Sequence, residues 1–300
     1  MSATLLDKEK EKSLPVLPQA GLGEPAPVLP NAIQWSHSLL AHARELWHHR
    51  ELLLLVTQRE IKVRYKQTAL GAAWAVLQPL SLMMVFSFFF SLFAKMETGG
   101  VPVPLFYYTG LLPWTFFATS LSFAIPSLIT NSNIITKIYF PREIIPLASI
   151  LAAFIDFLVA SLIYIFMLIW FRVPPSWNWL WVVPLLLVQL VFTAGVCLGA
   201  SAFTVLYRDV RFTLPLLIQI WFFATPVLYS VAAVKNERLL FWYMALNPMA
   251  SIISGYNRVV LHGQPPEMRY VAIAAAVSVI LLWVGYKYFK YLEREFADIV

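Results

Sequence analysis

Apolar residues dominate six stretches of the sequence, each long enough to cross a lipid bilayer as a single helix. A helix needs about 20 mostly apolar residues to span about 30 Å of hydrocarbon. The stretches cover residues 70–94, 105–130, 146–171, 180–206, 212–231 and 269–289. Runs such as 83–93 and 180–191 lack the alternation of polar and apolar residues found in membrane β-barrels. The pattern predicts an all-α membrane protein with six transmembrane helices.

The residues before the first span divide into two segments, so three regions are expected in all. Residues 1–32 are rich in Lys, Glu and Pro and predict a flexible cytoplasmic tail. Residues 33–68 predict an amphipathic helix that is too charged to span and lies at the membrane interface. Its apolar face is expected to hold Leu46, Trp47, Leu53, Leu54, Ile61 and Tyr65, with Arg50 and Arg64 intruding. Residues 69–300 form the six-span domain with a short cytoplasmic C-terminus.

The loop at 232–267 contains two short apolar pieces separated by Asn247 and Pro248. Each piece is too short to cross the membrane, so a re-entrant helical hairpin is expected over about 238–260. Asn247 and Pro248 would break the helix inside it. Backbone groups freed at such a break must be buried in protein or face water, because lipid offers them no partner.

Composition supports a membrane protein and sets its orientation. Hydrophobic residues make up 60% of the 300 residues and charged residues 13%, and the mean hydropathy is +0.70. These values exclude an ordinary soluble domain and extended disorder. The net charge of +6 reflects topology better than nucleic-acid binding, since 16 of the 22 Lys and Arg residues fall on one predicted side. Positive residues are retained in the cytoplasm, which predicts that both termini are cytoplasmic.

The sequence lacks the common catalytic motifs. It has no Walker A pattern, no H-E-x-x-H, no G-x-S-x-G and no Cys/His cluster with metal spacing. His42 and His49 are seven residues apart, but exposed interfacial histidines are the better interpretation than a metal site. The lone Cys197 cannot form an intrachain disulfide. We therefore expect no enzyme activity, metal or cofactor in this chain itself.

Asp156 is the one carboxylate well inside a predicted span. An intramembrane acid is a functional candidate by default, as in proton transfer. The alternative, which we favour, is a structural Asp that is hydrogen-bonded to neighbouring helices. Aromatic residues are abundant, at 15%, and they pack in a core, contact lipid or line a channel suited to sugar rings. The channel candidates are Phe86, Phe89, Phe90, Trp114, Phe117, Trp221, Phe222 and Tyr229.

The predicted cytoplasmic loop at 131–142 is polar, then apolar, and closes with Pro141 before the next span. A short helix there, with Asn131 or Ser132 as N-cap, is suited to docking a soluble partner. An ordinary interhelical loop is the alternative.

In this order, the pieces resemble the permease subunit of polysaccharide-exporting ABC transporters, the family of O-antigen, capsule and teichoic-acid exporters. The resemblance covers about residues 45–295. It rests on 59–68 (REIKVRYKQT), 70–74 (LGAAW), 77–79 (LQP), the 131–142 loop, 207–210 (YRDV), 225–227 (TPV) and 247–248 (NP).

The resemblance implies a homodimer in the bacterial cytoplasmic (inner) membrane, paired with two copies of a separate ATPase subunit that binds ATP and Mg²⁺. The cargo would be a polyprenyl-pyrophosphate-linked glycan, and the first and fifth spans would wall its channel. The implied ATPase contacts are Asn131, Ser132, Asn133, Ile134, Ile135, Lys137, Phe140, Pro141, Arg142, Arg208 and Asp209. The implied contacts of the interface helix with the lipid head group are Arg59, Glu60, Lys62, Arg64, Tyr65 and Lys66. Anchoring to membrane lipid is the alternative for these charges.

Two other functions compete with polysaccharide export. A drug or small-molecule exporter would share the architecture without needing an aromatic channel. A proton-coupled secondary transporter is disfavoured by the lone Asp156 and by the absence of internal repeats in the sequence.

Overall fold

The structure is a computed structural model that describes residues 46–66, 68–93, 100–135, 140–231, 234 and 236–293. The predicted tail at 1–32, residues 33–45 and Lys137 lie outside the described residues. All of the regular elements in those ranges are helical. They are α1 (Arg50–Tyr65), α2 (Trp74–Phe93), α3 (Val103–Ala124), α4 (Ser127–Thr130), α5 (Ser132–Ile135), α6 (Ile144–Trp170), α7 (Val182–Leu206), α8 (Val210–Phe223), α9 (Glu237–Leu246), α10 (Pro248–Tyr256) and α11 (Met268–Leu292).

Four helical stretches are long and apolar enough to cross a membrane. They are Gly71–Leu92, Ile144–Trp170, Trp177–Leu206 and Met268–Leu292. They coincide with four of the six predicted spans and include α2, α6, α7 and α11. The other two predictions, 105–130 and 212–231, correspond to α3 and α8.

Proline shortens both of these remaining helices relative to the prediction. The stretch at 105–130 is not one helix, because α3 ends at Ala124 and Pro126 separates it from α4. The stretch at 212–231 is helical only as far as Phe223, and Pro226 follows three residues later. Proline has no backbone N–H to donate, so Pro126 and Pro226 each remove one hydrogen bond from the helical ladder close to where α3 and α8 end.

Helix α3 forms the centre of the bundle. Fifteen of its 22 residues are buried, and it contacts α2, α6, α7 and α10. Phe117 illustrates the packing, since its ring stacks on Phe192 of α7 at 5.4 Å and meets Trp221 of α8 edge-on at 5.0 Å. Most of the Tyr, Thr and Ser side chains of α3 point into the protein.

Glycine allows α7 and α11 to approach each other closely. A Cβ atom on Gly195 would lie 2.6 Å from the backbone nitrogen of Leu282, and one on Gly285 would collide with the carbonyl oxygen of Gly195. Backbones that are this close leave no room for any side chain at the crossing. Small residues serve the same purpose at many membrane helix contacts.

Helix α1 lies against one end of the bundle. Leu46, Leu52, Leu53 and Val56 contact a small core formed by the ends of α6, α7 and α11. Of the predicted apolar face, Leu46 and Leu53 pack on this core, whereas Trp47 and Leu54 are 70% and 62% exposed. Thr57 is the one buried residue of the helix.

The predicted break at Asn247 is present. Helices α9 and α10 contain 10 and 9 residues and meet at Asn247, with Pro248 as the first residue of α10. Neither helix is long enough to cross a bilayer.

Candidate functional site

The acid inside the predicted third span is paired with the end of α1. Arg64 Nη1 lies 3.1 Å from Asp156 Oδ2, and the Tyr65 hydroxyl donates to Asp156 Oδ1 at 2.7 Å. Arg64 Nη2 also donates to the Ser149 carbonyl, two turns earlier on α6, at 3.0 Å. The side chains of Arg64 and Asp156 are only 6% and 17% exposed. This geometry fits the structural interpretation of Asp156, because its charge is neutralised by a neighbouring helix.

Arg64 makes one further favourable contact, and one of its hydrogen-bond donors has no partner. The guanidinium carbon lies 3.8 Å from the centre of the Phe123 ring, a cation–π contact. Burial and the hydrogen bond to Asp156 raise the pKa of the Tyr65 phenol, so it remains a donor. Arg64 Nε is buried and has no hydrogen-bond partner within the described residues.

Two neighbouring cavities lie in this part of the bundle, and the pair lines the first of them. The first, which we call the Arg64 cavity, has a volume of about 210 Å³. Its lining comprises Arg64, Tyr65, Trp74, Ala75, Gln78, Pro79, Thr115, Phe116, Thr119, Phe123, Ala153, Asp156, Phe157 and Ala160. The second, the Phe222 cavity, has a volume of about 530 Å³ and lies between α2, α3 and α8. The two cavities share Gln78, Thr115, Thr119 and Phe123.

The predicted channel aromatics do not share one environment. Phe86, Trp114 and Phe222 line the Phe222 cavity. Phe117 does not fit a channel role, because it is fully buried in the core of the bundle. Phe90 contacts Tyr107 at 5.6 Å, and Phe89 is 53% exposed.

The other two predicted aromatics, Trp221 and Tyr229, contact residues of α9 and of the break that follows it. Trp221 Nε1 donates to Asn247 Oδ1 at 3.1 Å, and the Tyr229 hydroxyl lies 3.0 Å from that of Tyr243. Asn247 Nδ2 donates to the Ala224 carbonyl at 3.1 Å and to Thr225 Oγ1 at 3.0 Å. Asn247 therefore satisfies the carbonyl that is freed where α8 ends, which explains how a helix break is tolerated there.

The predicted docking loop contains the expected short helix, α5, and is attached to α1. Arg59 Nη1 donates to Asn131 Oδ1 at 2.9 Å, while Asn131 Nδ2 donates to the Ser127 carbonyl at 3.0 Å. Asn131 is buried, and Asn133 is exposed. Ser132 and Ile134 lie within α5, and Ile135 is buried in the small core below α1.

The other end of this loop is bound to the end of α11 by contacts that sequence analysis missed. Arg142 Nη1 donates to the Glu293 carbonyl at 2.6 Å, and its backbone N–H donates to Glu293 Oε1 at 3.2 Å. Glu143 is buried and pairs with Lys290 at 2.8 Å. Phe140 is buried beside them. The loop is thus fixed at both of its described ends.

The remaining predicted contacts are at the surface. Arg208 and Asp209 are exposed in the turn before α8. Lys62 and Lys66 are exposed on α1, whereas Glu60 is half-buried. Pro141 is half-buried beside Phe140. Lys62, Lys66 and Arg59 are thus all exposed, although Arg59 also contacts Asn131, whereas the side chain of Arg64 is buried.

A bundle of membrane-length helices with cavities between them defines a polytopic membrane protein of the kind that includes transport permeases. The match to a family model describes the class more closely. Residues 51–261 match the ABC-2 type transporter family, and the chain belongs to that family.

Curated relatives match over nearly their whole length. The chain is 31% identical to an O-antigen export system permease protein of Myxococcus xanthus, covering 85% of this chain and 97% of the relative. It is 33% identical to one of Klebsiella pneumoniae, covering 83% and 95%. A polysialic acid transport protein of Escherichia coli is 19% identical, covering 79% and 91%.

Proposed function

We propose that this chain is the transmembrane subunit of an ATP-driven exporter that moves a lipid-linked polysaccharide across the cytoplasmic membrane. The observation that carries the proposal is its similarity, at 31% and 33% identity, to O-antigen export permeases over nearly their full length. The Phe222 cavity supports it, because its aromatic wall suits the C–H faces of sugar rings.

The proposed arrangement is a homodimer in which each subunit has six spans and both termini are cytoplasmic. Helix α3 supplies the second span, and the 14-residue α8 together with the segment that follows it to residue 231 supplies the fifth. Helices α9 and α10, which are separated by the break at Asn247, form a re-entrant hairpin on the exterior side. Helices α2 and α8 of both subunits wall the channel.

Energy comes from two copies of a separate ATPase subunit that bind ATP and Mg²⁺. The 131–142 loop and the turn at Arg208 and Asp209 are the proposed contacts with it. The attachments of the loop to α1 and α11, through Asn131 and Arg142, support this role. A push on a loop that is fixed at both ends moves helices rather than the loop alone.

The pyrophosphate head group is proposed to approach α1 through Lys62 and Lys66. Both lysines are exposed, so they are available for charge-assisted contacts with phosphate. Arg59 and Arg64 are less suitable than the sequence suggested, since their guanidinium groups already contact Asn131 and Asp156. Tyr65 is likewise engaged with Asp156.

The partner subunit is testable by purification of the tagged chain from its host in a mild detergent, followed by mass spectrometry. We expect a soluble ATPase with a Walker A motif in a 1:1 ratio. Replacing the exposed Asn133 with Trp places a bulky group on the proposed docking surface and is expected to reduce ATPase recovery about tenfold, equivalent to about 1.4 kcal/mol.

Gln264→Trp is the matched control, because Gln264 is exposed in the loop between α10 and α11 and the same large side chain is added far along the chain from the docking loop. Its ATPase recovery should equal that of the wild type. Purification of the chain without any ATPase, repeated after chemical crosslinking, would contradict the proposed coupling.

A further inference from the structure

The Arg64 cavity has a charge balance that is unusual for a phosphate site. Arg64 is its cation, and Asp156, also in the wall, pairs with that cation at 3.1 Å. The two charges cancel, and the carboxylate would repel an anion brought close to Arg64. A neutral ligand avoids this repulsion.

The same wall offers hydrogen-bonding groups that the protein leaves unused. Arg64 Nε is a buried donor without a partner in the described part of the chain, on a side chain that is 94% buried. The side chains of Gln78 and Thr119 line the cavity and make no side-chain hydrogen bond within the described residues; Gln78 is exposed and Thr119 is half-buried. A hydroxyl-bearing ligand could hydrogen-bond to the side chains of Gln78 and Thr119, whereas a hydrocarbon chain would leave them without such a partner.

Aromatic rings form part of the remaining walls, beside small apolar residues. Trp74, Phe116 and Phe157 line the cavity, and Trp74 is 51% exposed. Aromatic faces beside scattered donors and acceptors are suited to a ring with apolar C–H faces and an equatorial rim of hydroxyls. The volume of about 210 Å³ is below the usual range of about 300–1,000 Å³ for drug-sized ligands, so it suits one ring rather than a chain of rings.

We infer that the Arg64 cavity is a binding site for one uncharged sugar ring. The inference rests on the proposed function, and it deepens that function by separating the sugar site from the phosphate contacts on α1. The Phe222 cavity shares four lining residues with it, and it provides the next space for a glycan leaving the site.

Two photoreactive probes with the same octyl chain and the same diazirine distinguish the candidate ligands. One carries a β-glucoside head and the other a phosphate head. The protein, in phosphatidylcholine nanodiscs without sugar detergents, is irradiated with each probe, and the labelled peptides are identified by mass spectrometry. We expect the glucoside to label residues 153–160, which line the Arg64 cavity but not the Phe222 cavity, about tenfold more than the phosphate does, a difference of about 1.4 kcal/mol.

Substitutions then test the cavity itself. Thr119→Val keeps the side-chain shape but removes a hydroxyl, and together with Gln78→Leu it should lower glucoside labelling several-fold. Thr213→Val is the matched control, because Thr213 is exposed on α8 and lines neither cavity. Its labelling should equal that of the wild type.

Equal or stronger labelling by the phosphate probe would overturn the inference, and it is measured on the wild type, so it does not depend on the folding of a variant. Unchanged labelling in the folded double variant would also overturn it. ATPase recovery is measured separately. If the ATPase co-purifies and the glucoside does not label the cavity, the sugar site is wrong and the proposed function stands.

Discussion

Asp156→Asn should leave much less folded protein than the wild type after heating in detergent. The substitution removes the carboxylate that neutralises Arg64, whose side chain is only 6% exposed. Removing one partner of a buried ion pair costs about 3–5 kcal/mol, because the other charge stays buried without compensation. Asparagine can still accept from Tyr65, so the loss reports mainly on the charge. The measurement is the monodisperse fraction recovered on size exclusion after heating.

Two comparisons separate this effect from a general sensitivity to substitution. The double variant Arg64→Met and Asp156→Leu removes both charges and should recover much of the lost stability. Glu267→Gln breaks the pair of Arg258 and Glu267, whose side chains are 37% and 46% exposed, and should cost about 1 kcal/mol or less. If Asp156→Asn were as stable as Glu267→Gln, the buried pair would not hold α1 to the bundle.

Gly285→Ala is expected to prevent α7 and α11 from forming their native contact. The added Cβ would collide with the carbonyl oxygen of Gly195. Overpacking costs about 1–3 kcal/mol where side chains can move, and backbone atoms cannot move aside without shifting a helix. We therefore expect a loss at or above the top of that range, measured as a fall in the midpoint of thermal aggregation.

Gly199→Ala provides the graded control on the same helix pair. Its Cβ would lie 3.3 Å from the Cα of Gly285, which requires only a small shift. It should lower the midpoint less than Gly285→Ala does. Equal midpoints for the two variants would mean that the close approach of α7 and α11 does not limit stability.

Two features of the sequence indicate the pair of Arg64 and Asp156 only when they are considered together. Arg64 was an exception on an otherwise apolar helix face, and Asp156 was an exception in an apolar span. Ionisable groups in apolar surroundings tend to pair, so two such exceptions predict a contact. Assigning Arg64 to lipid head groups treated it as exposed, and the structure shows it engaged within the protein.

Long apolar runs predict the helices, but prolines within the runs do not by themselves predict the helix ends, since Pro113 and Pro215 lie inside α3 and α8. Pro126 and Pro226 lie inside predicted spans, and α3 and α8 end before them. The break at Asn247 was anticipated because Pro248 follows it directly.

Contacts between distant segments were beyond the sequence pattern. Glu143 and Lys290 are separated by 147 positions, and no local periodicity relates them. The close approach of Gly195 and Gly285 likewise depends on how α7 and α11 cross. The two cavities also depend on how the helices cross, so the sequence predicts only some of the aromatic residues that line them.

The measurement that tests the central claim most directly is export in the host after deletion of the gene. Surface polysaccharide and lipid-linked polysaccharide on the cytoplasmic face of the membrane are quantified in the deletion strain, with and without a plasmid copy. The account predicts that surface polysaccharide is lost, that the lipid-linked form accumulates inside, and that the plasmid copy reverses both. Unchanged surface polysaccharide, with no internal accumulation, would contradict the claim that this chain exports a lipid-linked glycan.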